Sequence, residues 1–516
     1  MEKVETTAGK PIGLRAILIV LCSTLGTASY AFTWNSVGVA LPHMQGSFSA
    51  TTDQIAWVMI AFVIGSAMMT ASVGWFSIRF GRKRIYLCAM AGYTVTLLGC
   101  ATATTLEQEV VWRLAQGAFG AALIPVGQSI AINAFPPERH GQATSLWALG
   151  FVTANVIAPT IADTLIDEYS WPWIFYVNVP VGIAVFAAVW AIVPDSPKAA
   201  RPLDWFGFTT LIVGVGVLQL MLARGERLDW FDSTEIVVEA LAGGLALYLL
   251  VAHTVTARRS FIERTLFAER NFVLGLAFIF LIGSVLFLPM LLLPLLMQQI
   301  GGFPATEAGY LMLPRGIGSI IGLTVMSQIR DRVDPRPILF YGLALMSFSA
   351  WTMGHWTTEV RPQDVAWASF LQGCATGAIW ASLNTLALAK LDKRIQDQGL
   401  ALFYLCFDSG NAIGTTAVIG LHARYIQINH ALLSESINPF NDLFRYGTQP
   451  DAWATANTRG LATLDLEIVR QATMIAYNNS FLLISLILGS LIPFIVLFRH
   501  KARPRPPPPG QEAPGD

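Results

Sequence analysis

Charged residues are scarce in this chain. Only 13% of its 516 residues are Asp, Glu, Lys or Arg, whereas 54% are hydrophobic. Soluble globular proteins usually carry about 25% charged residues, so the composition excludes an ordinary soluble domain. The 33 basic and 33 acidic residues cancel, and the net charge therefore gives no reason to expect a nucleic-acid partner.

Cysteine is also rare, and motifs for catalysis are missing. The five cysteines lie within apolar runs and never in a Cys-x-x-Cys pair, which favours small buried side chains over disulfides or metal ligands. The chain has no metal-ligand spacing, no glycine-rich nucleotide loop and no nucleophile–base motif. We therefore predict that it is not an enzyme and that it uses no cofactor.

Long apolar runs, in contrast, recur along the whole chain. About 20 apolar residues cross a bilayer as a helix, so we predict an all-α polytopic membrane protein with fourteen spans. The first run is too long for a signal-peptide core and no cleavage site follows it. The predicted spans lie near 14–36, 54–75, 84–104, 110–133, 142–165, 173–193, 204–223, 235–257, 271–297, 307–329, 337–357, 365–390, 399–422 and 477–498.

Basic residues are distributed unequally between the two sides of the predicted bundle. Lys and Arg are concentrated in the loops on the side of the two termini, whereas the short loops of the other side hold only Arg224, Arg227 and Arg361. Loops rich in Lys and Arg stay in the cytoplasm. We therefore predict that both termini are cytoplasmic.

One predicted outer loop, near 425–475, is long. It contains the turn-forming stretch NPFND at 438–442 and an amphipathic stretch at 464–477. Two interpretations are open: a folded cap on the helix bundle, or a docking surface for a periplasmic membrane-fusion adaptor with its outer-membrane channel. The Pro-rich end at 503–516 predicts a disordered tail.

Two loops suggest that the chain contains an internal repeat. GWFSIRFGRKR (74–84) follows span 2 and SQIRDRVDPRP (327–337) follows span 10, and aligning Arg79 with Arg332 matches their cations. Related halves are common in transporters, and spans 7 and 8 then form an insertion in a 6 + 2 + 6 layout. The predicted regions are a cytoplasmic N-terminus (1–13), a first six-helix bundle (14–193), a linker with two extra spans (194–257), a second six-helix bundle including the outer loop (258–498) and a cytoplasmic tail (499–516).

Further segments carry a family resemblance. GWFSIRFGRKR is similar to a loop signature G-x-x-x-D-R-x-G-R-R/K, and WRLAQGAFGA (112–121) is similar to a fourth-helix signature R-x-x-Q-G. Together with HGQATSLWALG (140–150), WPWIFYVNVPVG (171–182), LARGERLDWF (222–231) and LSESINPFN (433–441), they make the chain resemble the major facilitator superfamily. Within it, the resemblance is to the 14-helix drug:proton antiporter branch and its EmrB-type inner-membrane pumps.

The resemblance implies a function. It implies a multi-pass carrier of the inner (cytoplasmic) membrane that exports amphipathic small molecules, including drugs, and is driven by the proton motive force. The alternatives are a dedicated metabolite or ion carrier of the same fold that works by uniport or symport, and an assembly component whose outer loop recruits the adaptor.

The same resemblance assigns roles to loop and helix residues. It assigns conformational gating to the loop after span 2 and to its counterpart in the second half, that is, to Gly74, Arg79, Gly81, Arg82, Lys83, Asp331 and Arg332. Three positions depart from the pattern: Ile78 replaces the loop acid, Thr33 stands where the first helix usually has Asp, and Asp163 appears at the end of APTIAD (158–163). Pro159 in that segment predicts a bend in span 5.

Charged side chains inside spans cost about 2.5 to 3.5 kcal/mol each, so they mark functional candidates. The candidates for proton coupling and transport are Asp408, Arg113, Asp163 and Arg315. Each has a structural alternative: Arg113 as an interfacial anchor, Asp163 as an acid at the mouth of the bundle, and Arg315 as a ligand of exposed carbonyls or of an anion.

Asp408 lies in the middle of span 13. Tyr404, Asn411 and Thr415 share its helix face by their spacing, which indicates either an aqueous cavity or an interhelical hydrogen-bonded stripe. Burial disfavours the charged form of a carboxyl group, which would let Asp408 take up a proton on one side and release it on the other. The predicted cavity-lining residues are Thr33, Trp34, Asn35, Gln116, Asn155, Tyr404, Asn411 and Thr415.

Overall fold

The computed structural model describes residues 13–136, 139–196, 198, 202–257, 260–329, 333–388, 390–392, 394–437, 453 and 458–499. Asp331, Arg332 and the Pro-rich tail lie outside the described residues. The helices are α1 (Leu14–Ser47), α2 (Thr52–Phe80), α3 (Arg82–Ala101), α4 (Leu106–Gly120), α5 (Leu123–Asn133), α6 (His140–Glu168), α7 (Trp173–Tyr176), α8 (Asn178–Ile192), α9 (Trp205–Arg224), α10 (Thr234–Thr256), α11 (Thr265–Ala268), α12 (Arg270–Leu286), α13 (Leu288–Gln299), α14 (Ala305–Tyr310), α15 (Leu313–Ile329), α16 (Pro335–Met353), α17 (Pro362–Leu388), α18 (Gln396–Glu435) and α19 (Thr458–Leu491).

The helices coincide with the predicted spans, each span being one long helix or two consecutive ones. Among the described residues, eleven such segments are long and apolar enough to cross a bilayer. Helices α16, α17 and α18 do not meet that criterion although they align with predicted spans 11 to 13. The all-α membrane fold is thereby confirmed, whereas the number of fourteen spans and the cytoplasmic position of the termini stay predictions.

One helix break lies next to a proline within an apolar run. Helix α12 ends at Leu286 and α13 begins at Leu288, with Pro289 in its first turn. Proline lacks the backbone N–H and its ring clashes with the preceding turn, so one continuous helix is disfavoured there. In contrast, α6 continues through Pro159 as a single helix.

The helices form two bundles joined by a helical hairpin. In the first bundle α1 packs against α6 and α2 against α4, and in the second α15 packs against α17 and α12 against α18. Between the bundles, α2 contacts α18 and α6 contacts α15. Helices α9 and α10 pack against each other, and α9 touches both α2 and α18. The extra hairpin therefore lies along the seam between the bundles.

Glycines show that helix packing repeats between the bundles. A Cβ at Gly117 of α4 would overlap the carbonyl of Phe62 in α2, and a Cβ at Gly373 of α17 would overlap the carbonyl of Arg315 in α15. Small residues of this kind let membrane helices approach closely. Phe62 and Arg315 are thus equivalent positions, in the same register that aligns Arg79 with Arg332.

The long outer loop is shorter than expected. Helix α18 continues to Glu435 and α19 begins at Thr458, so both ends of the predicted loop 425–475 are helical and the last span begins well before residue 477. The amphipathic stretch at 464–477 lies inside α19, because no proline or glycine cluster separates it from the apolar run. His430 Nε2 and Asp465 Oδ1, 3.0 Å apart, join the two extensions. The turn at 438–442 lies outside the described residues.

A cavity between the two helical bundles

A cavity of about 380 Å³ lies between the bundles. We call helix ends inner or outer according to the predicted cytoplasmic side. The cavity extends from the middle of the bundles to their outer ends, and its apolar wall includes Phe151, Phe287, Met290, Met312, Trp380 and Phe407. A largely apolar cavity with a few polar groups suits small amphipathic molecules.

Three predicted polar residues line this cavity. Asn155 lies on its wall and accepts a 2.7 Å hydrogen bond from Asn35 Nδ2 of α1. Asp163 lies at the outer end, where its side chain is exposed. It has no ion-pair partner among the described residues, so an incoming cation would meet an uncompensated carboxylate there.

Arg315 is the third polar residue on the cavity wall, and its guanidinium group binds a backbone carbonyl of the neighbouring helix α12. Its Nη2 donates to the carbonyl oxygen of Leu286 at 2.8 Å, and its Nη1 donates to Gln372 Oε1 at 3.2 Å. The Leu286 carbonyl needs a donor because α12 ends there, before Pro289. Arg315 was expected to hold carbonyls exposed in its own segment, whereas the carbonyl it binds belongs to α12. Its role in proton coupling and transport stays a prediction. Within the described part of the chain, Arg315 has no carboxylate partner.

Of the eight predicted cavity-lining residues, Asn155 alone lies on the wall of this cavity, and the other seven lie elsewhere. Thr33 is fully buried and donates to the carbonyl of Ser29 at 3.0 Å, and Gln116 is fully buried inside the first bundle. Neither lines the cavity in this conformation, because both face helix–helix contacts. Trp34 packs its ring against Phe62 with 5.2 Å between centroids.

Arg113 occupies the interior of the first bundle. It is fully buried, its Nε donates to the carbonyl of Val58 at 3.2 Å, and its Nη1 donates to Gln116 Oε1. The guanidinium carbon lies 4.2 Å from the ring centroid of Phe62, a cation–π contact. Full burial excludes the alternative of an interfacial anchor.

Sequence reasoning missed a buried acid one turn before Arg113. Glu109 is fully buried, and the weak thiol donor of Cys100 is the only hydrogen-bonding group near its carboxylate oxygens among the described residues. The predicted span began at residue 110, which placed Glu109 in a loop. The four-residue spacing to Arg113 was the signal that would have revealed a shared helix face.

Asp408 faces the first bundle instead of the cavity. It is half-buried and acts electrostatically on the phenol of Tyr30 in α1, whose Oη lies 2.9 Å from Ser66 Oγ. One turn earlier, Tyr404 donates to Gln128 Oε1 of α5 at 2.7 Å. The described residues include no ion-pair partner for Asp408.

The outer part of the predicted stripe is made of short-range contacts. Asn411 and Thr415 are half-buried, and Thr415 Oγ1 lies 3.4 Å from Asn411 Oδ1. This contact lies within α18, so Tyr404, through Gln128 of α5, is the member of the stripe with a hydrogen bond to another helix.

The inner ends of the bundles are closed by an ion pair. Arg82 Nε donates to Asp397 Oδ2 at 2.7 Å, and Ser129 Oγ donates to Asp397 Oδ1 at 2.5 Å. Arg82 was a predicted gating residue, whereas Asp397, at the start of α18, was missed. Gly74 permits this closure, because a Cβ there would meet the backbone of Gln398.

The rest of the predicted gating loop shapes the turn. Gly81 joins α2 to α3 with φ of 90°, a left-handed conformation that side chains other than glycine rarely adopt. Arg79 is exposed and Lys83 is half-buried.

With the inner ends closed and the cavity at the outer ends, this conformation faces outward.

The family follows from comparison with known proteins. Residues 23–415 match the family model described as Major Facilitator Superfamily. The chain belongs to this superfamily. Among solved structures, the xylose transporter XylE superposes with a TM-score of 0.59 at 13% identity, covering 93% of this chain and 96% of that one. The human organic anion transporter MFSD10 gives 0.57 at 13% identity, covering 92% and 99%. These two likenesses show the fold.

Sequence relatives are more similar. The chain is 30% identical to the multidrug export protein EmrB of Haemophilus influenzae, over 92% of this chain and 94% of that protein. It is 28% identical to EmrB of Escherichia coli over 84% and 85%, and 27% identical to the fatty acid resistance protein FarB of Neisseria gonorrhoeae over 94% of each. With its long apolar helices, this superfamily member is a multi-pass transporter of the inner membrane and not an enzyme.

Proposed function

We propose that the protein is a proton-coupled antiporter that exports amphipathic small molecules, including drugs. The observation that carries the proposal is the outward cavity, whose wall is mostly apolar and contains Asn155, Asp163 and Arg315. Relatives named as multidrug export proteins support the substrate class.

Transport requires that the two bundles expose the cavity to each side in turn. In the outward state, Arg82, Ser129 and Asp397 hold the inner ends together. Breaking this cluster would let α2 and α18 separate at their inner ends and admit substrate from the inside. Substrate then leaves through the outer cavity when the inner ends close again.

Protons would drive the cycle through acids that change charge. Protonation of Asp408 removes an unpaired carboxylate from the contact between α18 and the first bundle, which favours close packing of the two. Its release on the inner side restores the charge and loosens that contact. Proton entry and substrate exit are thereby linked to the same rearrangement.

The variant Asp408→Asn tests this assignment. In everted vesicles with a pH-sensitive dye, substrate addition should dissipate the proton gradient of wild-type vesicles and have no effect in the variant. Thermal stability in detergent should be retained, because Asn preserves shape. Full proton coupling in Asp408→Asn would refute the role of Asp408 and leave Asp163 as the next acid to examine.

A dedicated metabolite or ion carrier is the second candidate. The observation that favours it is Thr33, fully buried where the resembling pumps have an acid. A uniporter would produce no substrate-evoked pH change in the same vesicles, and a symporter would produce one of opposite sign. The sign of the proton flux therefore distinguishes the three carriers.

The outer extensions of α18 and α19 provide a proposed docking surface for a periplasmic adaptor. They extend the bundle outward and are joined by His430 and Asp465. Substituting His430→Ala and Asp465→Ala, which removes the contact between the extensions, should leave transport in vesicles unchanged and reduce drug resistance of cells. Full resistance in cells would contradict a tripartite assembly.

A further inference from the structure

Glu109 and Arg113 form an unusual arrangement in the outer part of α4. Glu107 and Gln108, the residues before Glu109, are exposed, yet Glu109 itself is fully buried. The Cys100 thiol is the only donor near its carboxylate oxygens among the described residues, and neither oxygen has an ion-pair or strong hydrogen-bond partner there. Burying an ionised carboxylate without such partners is very costly, so the uncharged acid is the form that fits this position.

Arg113 is close enough to Glu109 to interact with its charge. It lies four residues further on the same helix face, and the two groups interact electrostatically without forming an ion pair. The guanidinium is engaged instead with the carbonyl of Val58 at 3.2 Å and with Gln116, and among the described residues the partner of its Nη2 is the sulfur of Met59 at 3.9 Å. The side chain therefore has donors available for a carboxylate.

We propose that Glu109 is a proton-carrying residue of the first bundle and that Arg113 is its counter-ion in the ionised state. This rests on the proton-coupled function proposed above and adds a site to it. In the outward conformation Glu109 is protonated and Arg113 binds the Val58 carbonyl. After release of the proton, the carboxylate takes Arg113 away from that carbonyl.

The proton step requires water as the proton acceptor. The O–H bond of the Glu109 carboxyl group breaks, its electron pair stays on the carboxylate, and the proton passes to water. Arg113 keeps its charge throughout and exchanges one acceptor for another. Because Val58 belongs to α2, and α2 packs against α18, the exchange acts on the helix that carries the inner closure.

The other ionisable groups near this pair are few. Cys100 of α3 and Arg113 act directly on Glu109, while Tyr93 and Tyr30 act on Arg113. Asp53 of α2 and Glu107 are exposed at the outer end. Among the described residues that act on Glu109, Arg113 is thus the sole permanent charge.

Proteoliposomes containing the full chain separate proton coupling from substrate movement. The variant Glu109→Gln should retain substrate exchange in the absence of a pH gradient and reduce gradient-driven transport to the level of empty liposomes. Glu107→Gln, an exposed acid two residues away, is the matched control and should behave like wild type. Gradient-driven transport by Glu109→Gln at the wild-type proton-to-substrate ratio would overturn the proposal while leaving the antiporter function intact.

A spectroscopic measurement tests the same residue without transport. Infrared difference spectra of the purified protein with and without substrate should show a carboxylic-acid carbonyl band that disappears in Glu109→Gln and shifts in Glu109→Asp. The Asp variant supplies this readout if the Gln variant does not fold. A spectrum in which neither variant changes the band would overturn the assignment. Absence of any substrate-evoked proton flux in wild-type liposomes would instead refute the antiporter function.

Discussion

The two bundles each bury one arginine at an equivalent helix pair, but on opposite helices. In the first bundle the arginine is Arg113 of α4, packed on Phe62 of α2. In the second, Arg315 occupies the Phe62 position on α15, and Ser369 of α17 occupies the Arg113 position. Both guanidinium groups donate to the glutamine of a Gln-Gly pair, Gln116 in one bundle and Gln372 in the other.

The surroundings of the two arginines differ. Arg113 is sealed between helices with Glu109 one turn away, whereas Arg315 lines the cavity and holds the Leu286 carbonyl. One guanidinium thus has a titratable neighbour and no access to substrate, and the other has access to substrate and a backbone partner. The two bundles share the packing of these helices, but their arginines differ in their partners and in their access to the cavity.

The largest effects on stability are expected when each guanidinium group is removed. Arg113→Gln leaves the Val58 carbonyl without its donor in a dry interior, so we expect a loss of about 3 kcal/mol. Arg315→Gln should cost about 1 kcal/mol, because water in the cavity can reach the Leu286 carbonyl. Thermal unfolding in detergent measures both losses, and equal losses would contradict the difference in surroundings.

Adding a methyl group at the helix contacts tests the shared packing. Gly117→Ala and Gly373→Ala each place a Cβ against a backbone carbonyl of the partner helix, so both should lose about 2 kcal/mol. Gly38→Ala in α1 is the matched control, since its Cβ meets open space, and it should be neutral in the same unfolding assay. A large effect at only one of the two contact glycines would show that the bundles do not pack alike.

Moving the arginine of the first bundle to the position it has in the second bundle tests whether the two positions are equivalent. Phe62→Arg and Arg113→Ser together recreate in α2 and α4 the pattern of Arg315 and Ser369. The double variant should be more stable than the sum of the single effects by about 1 kcal/mol. Strict additivity in the double-mutant cycle would mean that the positions are not interchangeable.

The smallest effect is expected at Ser369, the counterpart of Arg113. Its hydroxyl is buried without a hydrogen-bond partner among the described residues, so Ser369→Ala should change the free energy of unfolding by less than about 0.5 kcal/mol. A clear loss of stability would reveal a polar partner for the hydroxyl. Thr24→Ala in α1, whose hydroxyl is similarly buried without a partner, provides the comparison.

Much of the fold was predictable from the sequence. Apolar runs long enough for a bilayer located the helices, and the offset between Arg79 and Arg332 located the repeat that the glycine contacts follow. Arg113 and Arg315 were identifiable because a charge inside a span is costly.

Part of the site was not predictable, for physical reasons. Glu109 and Asp397 lie near helix ends, where hydropathy assigns residues to loops, although tertiary packing buries both. The partner of Arg315 depends on a helix break that lies next to it only in the folded bundle. The extent of the cavity depends on which ends of the bundles are closed, and no local pattern encodes that state.

Substrate-evoked proton movement in proteoliposomes is the central test of proton-coupled antiport. The outer side of the membrane is made more acidic than the inner side, and an exported substrate is present. The wild-type protein should then carry protons and substrate in opposite directions. The two fluxes should rise and fall together as the substrate concentration is varied. Substrate movement that leaves the pH gradient untouched, or that runs in the same direction as the protons, would contradict it.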